Sequence, residues 1–235
     1  MPDPGEVRAM FGRIARHYDL LNRTLSLGID QRWRRRAVRT AERELGAPLT
    51  GRTVVDVCCG TGDLALAFEA AGARVVGLDF TPQMVVRAAE KARGATLFAQ
   101  GDALRLPVRD GAADVTSVAF GLRNVGNRAQ GLRELARATR PGGLVLVLEF
   151  SMPQGVLLGS AYRAYFTRVL PGIGRVVSRD ADAYAYLPRT VLAWPQPREL
   201  EDELRASGLV DCGHALLSRG IACLHHGRVP ERGIA

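Results

Sequence analysis

The segment Asp56-Val-Cys-Cys-Gly60-Thr61-Gly62-Asp63-Leu-Ala65 decides the fold. It begins inside a short, apolar, β-branched run, Thr53–Cys58, and leads into a helix-like run, Asp63–Ala71. Glycines in such a turn let the backbone approach a ligand closely, because they carry no Cβ. The segment therefore predicts a ligand-binding turn between a buried strand and a helix.

Strand-like and helix-like runs alternate after this turn. Four more strands are predicted, over Arg74–Leu78, Ala95–Ala99, Asp114–Phe120 and Leu144–Phe150. Helices are predicted between them, over Thr81–Arg93 and Gln130–Thr139, the second stopping at Pro141-Gly142-Gly143. This alternation is typical of an α/β fold with a doubly wound, mostly parallel sheet. Right-handed crossovers then place the loops after the strands along one edge, where ligands bind.

The remaining runs complete a single domain of 235 residues. Two N-terminal helices are predicted over residues 5–22 and 31–45, and a late helix over Arg198–Ser207. Strand-like runs at Leu209–Leu217 and Ile221–His225 would close a seven-stranded sheet as an antiparallel hairpin. We expect four parts: an N-terminal helical lid, a cofactor-binding core, a partly helical insertion for substrate or dimer contacts, and a C-terminal helix with strands. Their bounds are 1–50, 51–150, 151–197 and 198–235.

The composition argues against disordered and fibrous classes of protein. With 47% hydrophobic and 24% charged residues, the chain can bury a sizeable core. The net charge of +8 would suggest nucleic acid as a partner, but Lys91 is the only lysine and the other 31 of the 32 basic residues are arginines spread along the chain. We interpret this as a compositional habit and expect no nucleic-acid partner.

The cysteine spacing and the hydropathy bear on the expected cellular compartment. The four cysteines form no C-x-x-C pair, and no histidine stands at zinc-finger spacing, so we expect neither a disulfide framework nor a metal site. No stretch approaches the ~18 apolar residues of a membrane span. We expect a cytoplasmic protein, with the inner face of the membrane as a further place of contact.

Charge distinguishes two candidate ligands of the turn. Gly60-x-Gly62-x-x-Ala65 satisfies a relaxed dinucleotide fingerprint, which keeps an NAD-linked oxidoreductase as an alternative. A pyrophosphate would, however, be repelled by Asp56 and Asp63. S-adenosylmethionine has no phosphate and carries a sulfonium and an ammonium, so carboxylates beside the turn suit it better.

Further acidic residues follow the next two strands. Asp79 can accept hydrogen bonds from both ribose hydroxyls, and Asp102 can accept one from an adenine amino group. One such acid could be a turn former, but three successive strand-end acids favour a ligand site. The residues expected to bind the cofactor are Asp56, Gly60, Thr61, Gly62, Asp79, Phe80, Asp102 and Ala103.

These segments resemble the motif series of class I S-adenosylmethionine-dependent methyltransferases. Other segments are similar to the ubiquinone/menaquinone biosynthesis C-methyltransferases within that class. They are Phe11-x-x-Ile14-Ala-x-x-Tyr18-Asp19-x-Leu21-Asn22, Trp33-Arg34, Phe120-Gly-Leu-Arg-Asn-Val125, Leu148-Glu-Phe-Ser151, Tyr184-x-Tyr186-Leu-Pro188 and Trp194-Pro195. The resemblance runs from about residue 7 to residue 227, and Ala119 departs from it, since the family often carries a small hydroxyl residue there.

The resemblance implies C-methylation of a polyprenyl quinone precursor. The ring must be in its reduced, quinol form, because an oxidised quinone is too electron-poor to attack a sulfonium methyl. Demethylmenaquinol is the expected substrate, with a ubiquinol-pathway intermediate as the alternative.

The resemblance also directs attention to Arg123 and Asn124 as catalytic residues. A guanidinium can stabilise a phenolate or orient a water that takes the phenol proton. In the alternative, Arg123 pairs with Glu149 or with a helix end for stability. Candidates for the substrate pocket are Tyr18, Tyr184, Tyr186 and His225, with Asp19 beside them.

Two surface features suggest further contacts. The arginines between Arg32 and Arg43 could face anionic headgroups in a peripheral membrane contact, or simply solvent. The aromatic insertion could bind the isoprenoid tail or form a homodimer.

Overall fold

The computed structural model describes residues 3–15, 18–19, 23, 26, 28–153, 186 and 189–231. The helices are α1 (Pro4–Ile14), α2 (Ile29–Leu45), α3 (Asp63–Ala70), α4 (Pro82–Lys91), α5 (Arg128–Ala138) and α6 (Pro197–Ala206). The strands are β1 (Thr53–Val57), β2 (Arg74–Asp79), β3 (Leu97–Gln100), β4 (Ala113–Ala119), β5 (Thr139–Phe150), β6 (Val210–Leu217) and β7 (Ala222–Arg228).

The strands form one seven-stranded sheet in the order β3-β2-β1-β4-β5-β7-β6. Strands β1 to β5 pair in parallel, whereas β7 runs antiparallel to both β5 and β6. This arrangement confirms the predicted doubly wound, mostly parallel α/β fold. Because β1 to β5 are parallel, their carboxyl ends meet along one edge of the sheet.

The sheet is covered on both faces, which explains why its central strands are almost continuously apolar. On one face, α2 and α3 bury Trp33 and Phe68 against β5 and its neighbours. On the other face, α5 and α6 bury Leu132 and Leu200. These two cores hold the strand ends in fixed positions at the ligand-binding edge.

Two predicted boundaries were wrong. Strand β5 begins at Thr139, so Pro141-Gly142-Gly143 lies inside the strand rather than before it. The pairing of β4 with β5 shifts register here, and Gly142 has a φ of 70°, so the glycine allows a bulge in place of a break. Helix α1 ends at Ile14, whereas one helix was predicted over residues 5–22.

Much of the predicted insertion lies outside the described residues, including 154–185 and 187–188. No helix in the described part of the chain has both the length and the apolar run that crossing a bilayer would require.

Candidate active site

A pocket opens at the carboxyl edge of the sheet, where the sequence predicted it. Its walls come from the ends of β1, β2 and β4, from residues 102–104, and from the turn at 124–126; Val7 and Phe11 of α1 cover it from the N-terminal side. It encloses about 840 Å³ when its open mouth is counted.

Asp79 is fixed in the pocket wall by two backbone amides. Gly60 N donates to Oδ2 at 2.8 Å, and Thr81 N donates to Oδ1 at 2.8 Å. Burial raises the pKa of Asp79, although these two hydrogen bonds oppose the shift. Each oxygen keeps a lone pair, so the carboxylate is oriented to accept two further hydrogen bonds, such as those of vicinal hydroxyls.

The turn needs its glycines for steric reasons. Gly62 has a φ of 84°, and a Cβ on it would lie 2.8 Å from the ring of Phe98. Gly60 has a φ of 55°, and the nearest neighbour of a Cβ there would be Tyr18 Cε1 at 3.8 Å. The turn is therefore packed against Phe98 at Gly62, and Tyr18 lies over it at Gly60.

Asp56 lies in β1 behind the pocket wall rather than in it, with 1% of its surface exposed. The Ser117 hydroxyl donates to Oδ1 at 2.6 Å, but Oδ2 has no hydrogen-bond partner among the described residues. Burial raises the pKa of Asp56 to about 7, although the Ser117 hydrogen bond and the charge of Arg34 oppose the shift. A buried carboxylate with an unsatisfied oxygen favours a nearby cation.

Some of the other predicted cofactor residues line the pocket, and others do not. Phe80, Asp102 and Ala103 line the pocket, and Asp102 Oδ1 also accepts a hydrogen bond from Leu104 N at 2.8 Å. Thr61 and Gly62 are not wall residues. Asp102 therefore fixes its own turn and faces the pocket at the same time.

Asn124 and Tyr186 meet at the pocket, where the turn after β4 reaches its wall. Asn124 lines the pocket, and the Tyr186 hydroxyl donates to its Oδ1 at 2.9 Å. Tyr186 is 9% exposed, and burial raises its pKa, so its hydroxyl stays protonated and keeps donating. Because its carbonyl oxygen is engaged, Asn124 has its amide N–H groups available for another partner.

Arg123 does not line the pocket. Its guanidinium pairs with Glu149, with Nη1 to Oε1 at 2.6 Å, and also donates to the Phe120 carbonyl. Both side chains are buried, at 6% and 1% exposure. Burial raises the pKa of Glu149, although the charge of Arg123 opposes the shift. The pairing that the sequence suggested as the alternative is present, and it anchors the turn that carries Asn124.

His225 is placed away from the pocket, contrary to the expectation that it would contact substrate. It faces Val147 in the middle of the sheet, and its Nε2 lies 2.9 Å from the Pro197 carbonyl oxygen. Burial lowers the pKa of His225 to about 4, so the ring is neutral and fills the core beside α6. Tyr184 lies outside the described residues.

The sequence did not reveal a charged cluster beside the turn. Lys91 Nζ contacts Asp19 Oδ2 at 2.8 Å, Asp63 Oδ1 at 2.5 Å and Thr61 Oγ1 at 3.2 Å. Although burial opposes it, the charges of Arg34 and Lys91 lower the pKa of Asp63. The signal available in the sequence was that Lys91 is the only lysine of the chain. Its compact ammonium donates to all three partners at once, which a planar guanidinium would do less well.

Lys91→Gln should therefore destabilise the protein more than an ordinary surface change. Asp19 and Asp63 would lose their shared cation while remaining largely buried. We expect a loss of about 1–2 kcal/mol, or roughly 2–6 °C in melting temperature by calorimetry. The matched control is Arg87→Gln on the same helix, whose partner Glu90 is exposed, and which should shift the melting temperature by less than about 2 °C. Equal shifts in melting temperature for the two variants would contradict the role of Lys91 as the shared cation of Asp19 and Asp63.

Among the described residues, no three His, Cys, Asp or Glu side chains are grouped to bind a metal ion. In the described pocket wall there are two carboxylates and neither arginine nor lysine. Such a wall gives no cation to a pyrophosphate, which argues against a dinucleotide.

Comparison with known proteins identifies the family. A family model described as the ubiE/COQ5 methyltransferase family matches residues 3–229. The demethylmenaquinone methyltransferase of Deinococcus radiodurans is 47% identical over 212 residues, covering 88% of this chain and 86% of that protein. That of Thermus thermophilus is 45% identical over 226 residues, covering 94% and 100%.

The fold also matches solved structures. A SAM-dependent methyltransferase from Thermotoga maritima superposes with a TM-score of 0.65 at 18% identity, covering 94% of this chain and 98% of that one. At this identity the match concerns the fold alone, and the family follows from the sequence relatives. The predicted family is confirmed: the chain belongs to the ubiE/COQ5 methyltransferase family.

Proposed function

We propose that this protein transfers a methyl group from S-adenosylmethionine to a ring carbon of demethylmenaquinol, giving menaquinol. Both relatives named above are demethylmenaquinone methyltransferases. The observation that carries the proposal is one pocket whose wall includes both the carboxylates of Asp79 and Asp102 and the amide of Asn124, which is held by Tyr186. The carboxylates suit a cationic nucleoside, and the amide suits a ring oxygen that becomes negative.

The acidic side fits S-adenosylmethionine. Asp79 would hold the ribose hydroxyls, Asp102 the adenine amino group, and Phe80 would pack on the adenine ring. Asp56, with its unpartnered Oδ2, would favour the positive charge of the donor from behind the turn. When bound, S-adenosylmethionine supplies a methyl group made electrophilic by its sulfonium.

The Asn124–Tyr186 pair fits a phenol that ionises. Free phenols titrate near pH 10, so the protein must stabilise the phenolate as the ring carbon attacks. We assign this to Asn124, whose amide N–H groups would donate to the ring oxygen, with Tyr186 holding the amide in place. Arg123 would act without touching the substrate. It anchors the turn that carries Asn124, and its positive charge lowers the free-energy cost of ionising groups near Tyr186.

Tyr18 would close the pocket over the Gly60 turn, and Tyr184 stays a predicted substrate contact. The isoprenoid tail needs an apolar path, and the predicted use of residues 151–197 for the tail or for a homodimer stays a prediction.

The direct test is methyl transfer by the purified full-length protein. Demethylmenaquinone is supplied either oxidised or chemically reduced, and the product is identified by mass spectrometry. We expect methylation of the reduced form only. Methylation of a ubiquinol precursor in preference to the naphthoquinol would overturn the substrate assignment, and binding of NAD in place of S-adenosylmethionine by calorimetry would overturn the whole proposal.

Cofactor affinity should depend on pH through Asp56. A cation nearby favours the ionised carboxylate, which is mostly protonated at pH 6.0 when its pKa is about 7. We expect the Kd of S-adenosylmethionine to be roughly tenfold higher at pH 6.0 than at pH 7.5. Asp56→Asn should remove most of this dependence in calorimetric titrations, and an unchanged pH profile in that variant would exclude Asp56 as its source.

A further inference from the structure

The solvent-facing side of helix α2 carries a row of positively charged residues. Five arginines are exposed and recur at helical spacing on one face, whereas Trp33, Ala37 and Ala41 are buried on the other. We call these five residues the arginine stripe. They are Arg32, Arg35, Arg36, Arg39 and Arg43. At 1.5 Å per residue the stripe is about 16 Å long.

The stripe is not neutralised within the described part of the chain. Arg43 pairs with Glu44 at 2.8 Å, but Arg32, Arg35, Arg36 and Arg39 form no ion pair with any described residue. Of the other acids on α2, Asp30 is buried against Arg34, and Glu42 forms no ion pair with the stripe in the described structure.

Several arginines on the other helices form ion pairs, although the exposed Arg133 and Arg198 form none with a described residue. Described ion pairs there include Arg87–Glu90, Arg128–Glu203, Arg137–Glu134 and Arg205–Glu201. In contrast, the stripe places like charges three and four residues apart, which opposes helix formation. An anionic partner would remove this repulsion, so the stripe has the electrostatics of a binding surface.

The stripe begins beside the active-site edge of the sheet. Trp33, next to Arg32, contacts the ring of Phe120 at 6.0 Å and that of Phe150 at 6.3 Å between centroids. Phe120 lines the pocket, and Phe150 ends β5. The N-terminal end of the stripe therefore lies near the sheet edge that carries the pocket.

We propose that the arginine stripe docks the protein on the anionic phospholipid surface of a membrane. This inference rests on the proposed function, because a polyprenyl quinol is dissolved in the bilayer and must reach the pocket from there. Guanidinium groups suit lipid phosphates, which they bind through two parallel hydrogen bonds. Nucleic acid fits less well, since the aromatic residue of α2, Trp33, is 4% exposed and offers no face for stacking on bases.

Vesicle sedimentation tests the proposal with the full-length protein. We expect binding to phosphatidylcholine vesicles containing phosphatidylglycerol, weak binding to phosphatidylcholine alone, and release by high salt. The triple variant Arg32→Gln, Arg36→Gln, Arg39→Gln should bind the anionic vesicles about 100-fold more weakly. The control Arg105→Gln, Arg109→Gln, Arg133→Gln removes the same charge from other exposed positions and should bind almost as well as the unmodified protein.

Equal losses in both triple variants would overturn the proposal, as would equal binding to neutral vesicles. Tight binding of an RNA or DNA oligonucleotide that is lost in the stripe variant, without vesicle binding, would assign the surface to nucleic acid instead. The stripe variant should keep its turnover on a short-tailed quinol in detergent and lose turnover on a long-tailed quinol in vesicles. If the unmodified protein methylates neither, the proposed function fails, while the vesicle result still decides the docking surface.

Discussion

Replacing Asn124 by alanine is expected to lower kcat by about 100- to 1000-fold, the effect of removing one donor from a developing oxyanion. Asn124 faces the pocket, and its carbonyl oxygen is occupied by Tyr186, so its N–H groups are the donors that the ring oxygen would lose. The Kd of S-adenosylmethionine should change by less than about threefold, because the acids proposed to hold the cofactor are untouched. Steady-state kinetics with the reduced substrate and calorimetry measure the two effects.

Two matched variants sharpen this test. Asn124→Asp keeps the shape but replaces N–H donors by a carboxylate, so it should be at least as impaired as the alanine variant. Tyr186→Phe keeps the ring and releases only the Asn124 amide, so we expect an intermediate loss of about tenfold in kcat. A Tyr186→Phe enzyme as impaired as Asn124→Ala would show instead that Tyr186 acts on the substrate itself.

Replacing Arg123 by alanine should destabilise the protein more than Lys91→Gln does. It leaves Glu149 buried without its cation and the Phe120 carbonyl without a donor. Removing one partner of a buried pair costs about 3–5 kcal/mol, which corresponds to a fall of roughly 10 °C in melting temperature. In the fraction that stays folded, kcat should fall far more than cofactor affinity, because the displaced turn carries Asn124.

The control for Arg123 is the double variant Arg123→Met, Glu149→Met. Replacing both charges by apolar groups should recover most of the lost stability. It should not recover kcat if the positive charge of Arg123 assists ionisation of the substrate. Full recovery of both would make the pair purely structural, and a melting temperature within about 2 °C of the unmodified protein in Arg123→Ala would contradict the buried pairing itself.

Local signals were sufficient for most of the fold. Apolar runs predicted the central strands of the sheet, because a strand covered on both faces must be apolar throughout. The edge strands β3 and β6 are partly exposed, so this argument does not apply to them. The start of β5 was missed for a specific reason: Pro141-Gly142-Gly143 normally ends an element, but in this chain Gly142 takes a positive φ inside a strand that bulges. A rule based on residue type cannot distinguish a break from a bulge.

The pocket wall was predictable where it depended on topology alone. Asp79 and Asp102 lie in the pocket wall because parallel strands end at one edge, and alternation already implied parallel strands. His225 was misplaced because it lies on an antiparallel strand, whose register against β5 no local pattern fixes. The contact of Lys91 with Asp19 joins residues 72 positions apart, and such contacts follow only from the folded arrangement.

The solitary lysine makes the cluster at the glycine turn accessible to chemical labelling. Apart from the amino terminus, Lys91 is the one amine in the chain, and 27% of its side chain is exposed. An acylating reagent would therefore place a reporter group between Asp19 and Asp63, beside the tyrosine that covers Gly60, with the amino terminus as its other point of attachment. The rate of acylation at Lys91, followed by peptide mapping, would report how often the contacts of its ammonium group break in solution.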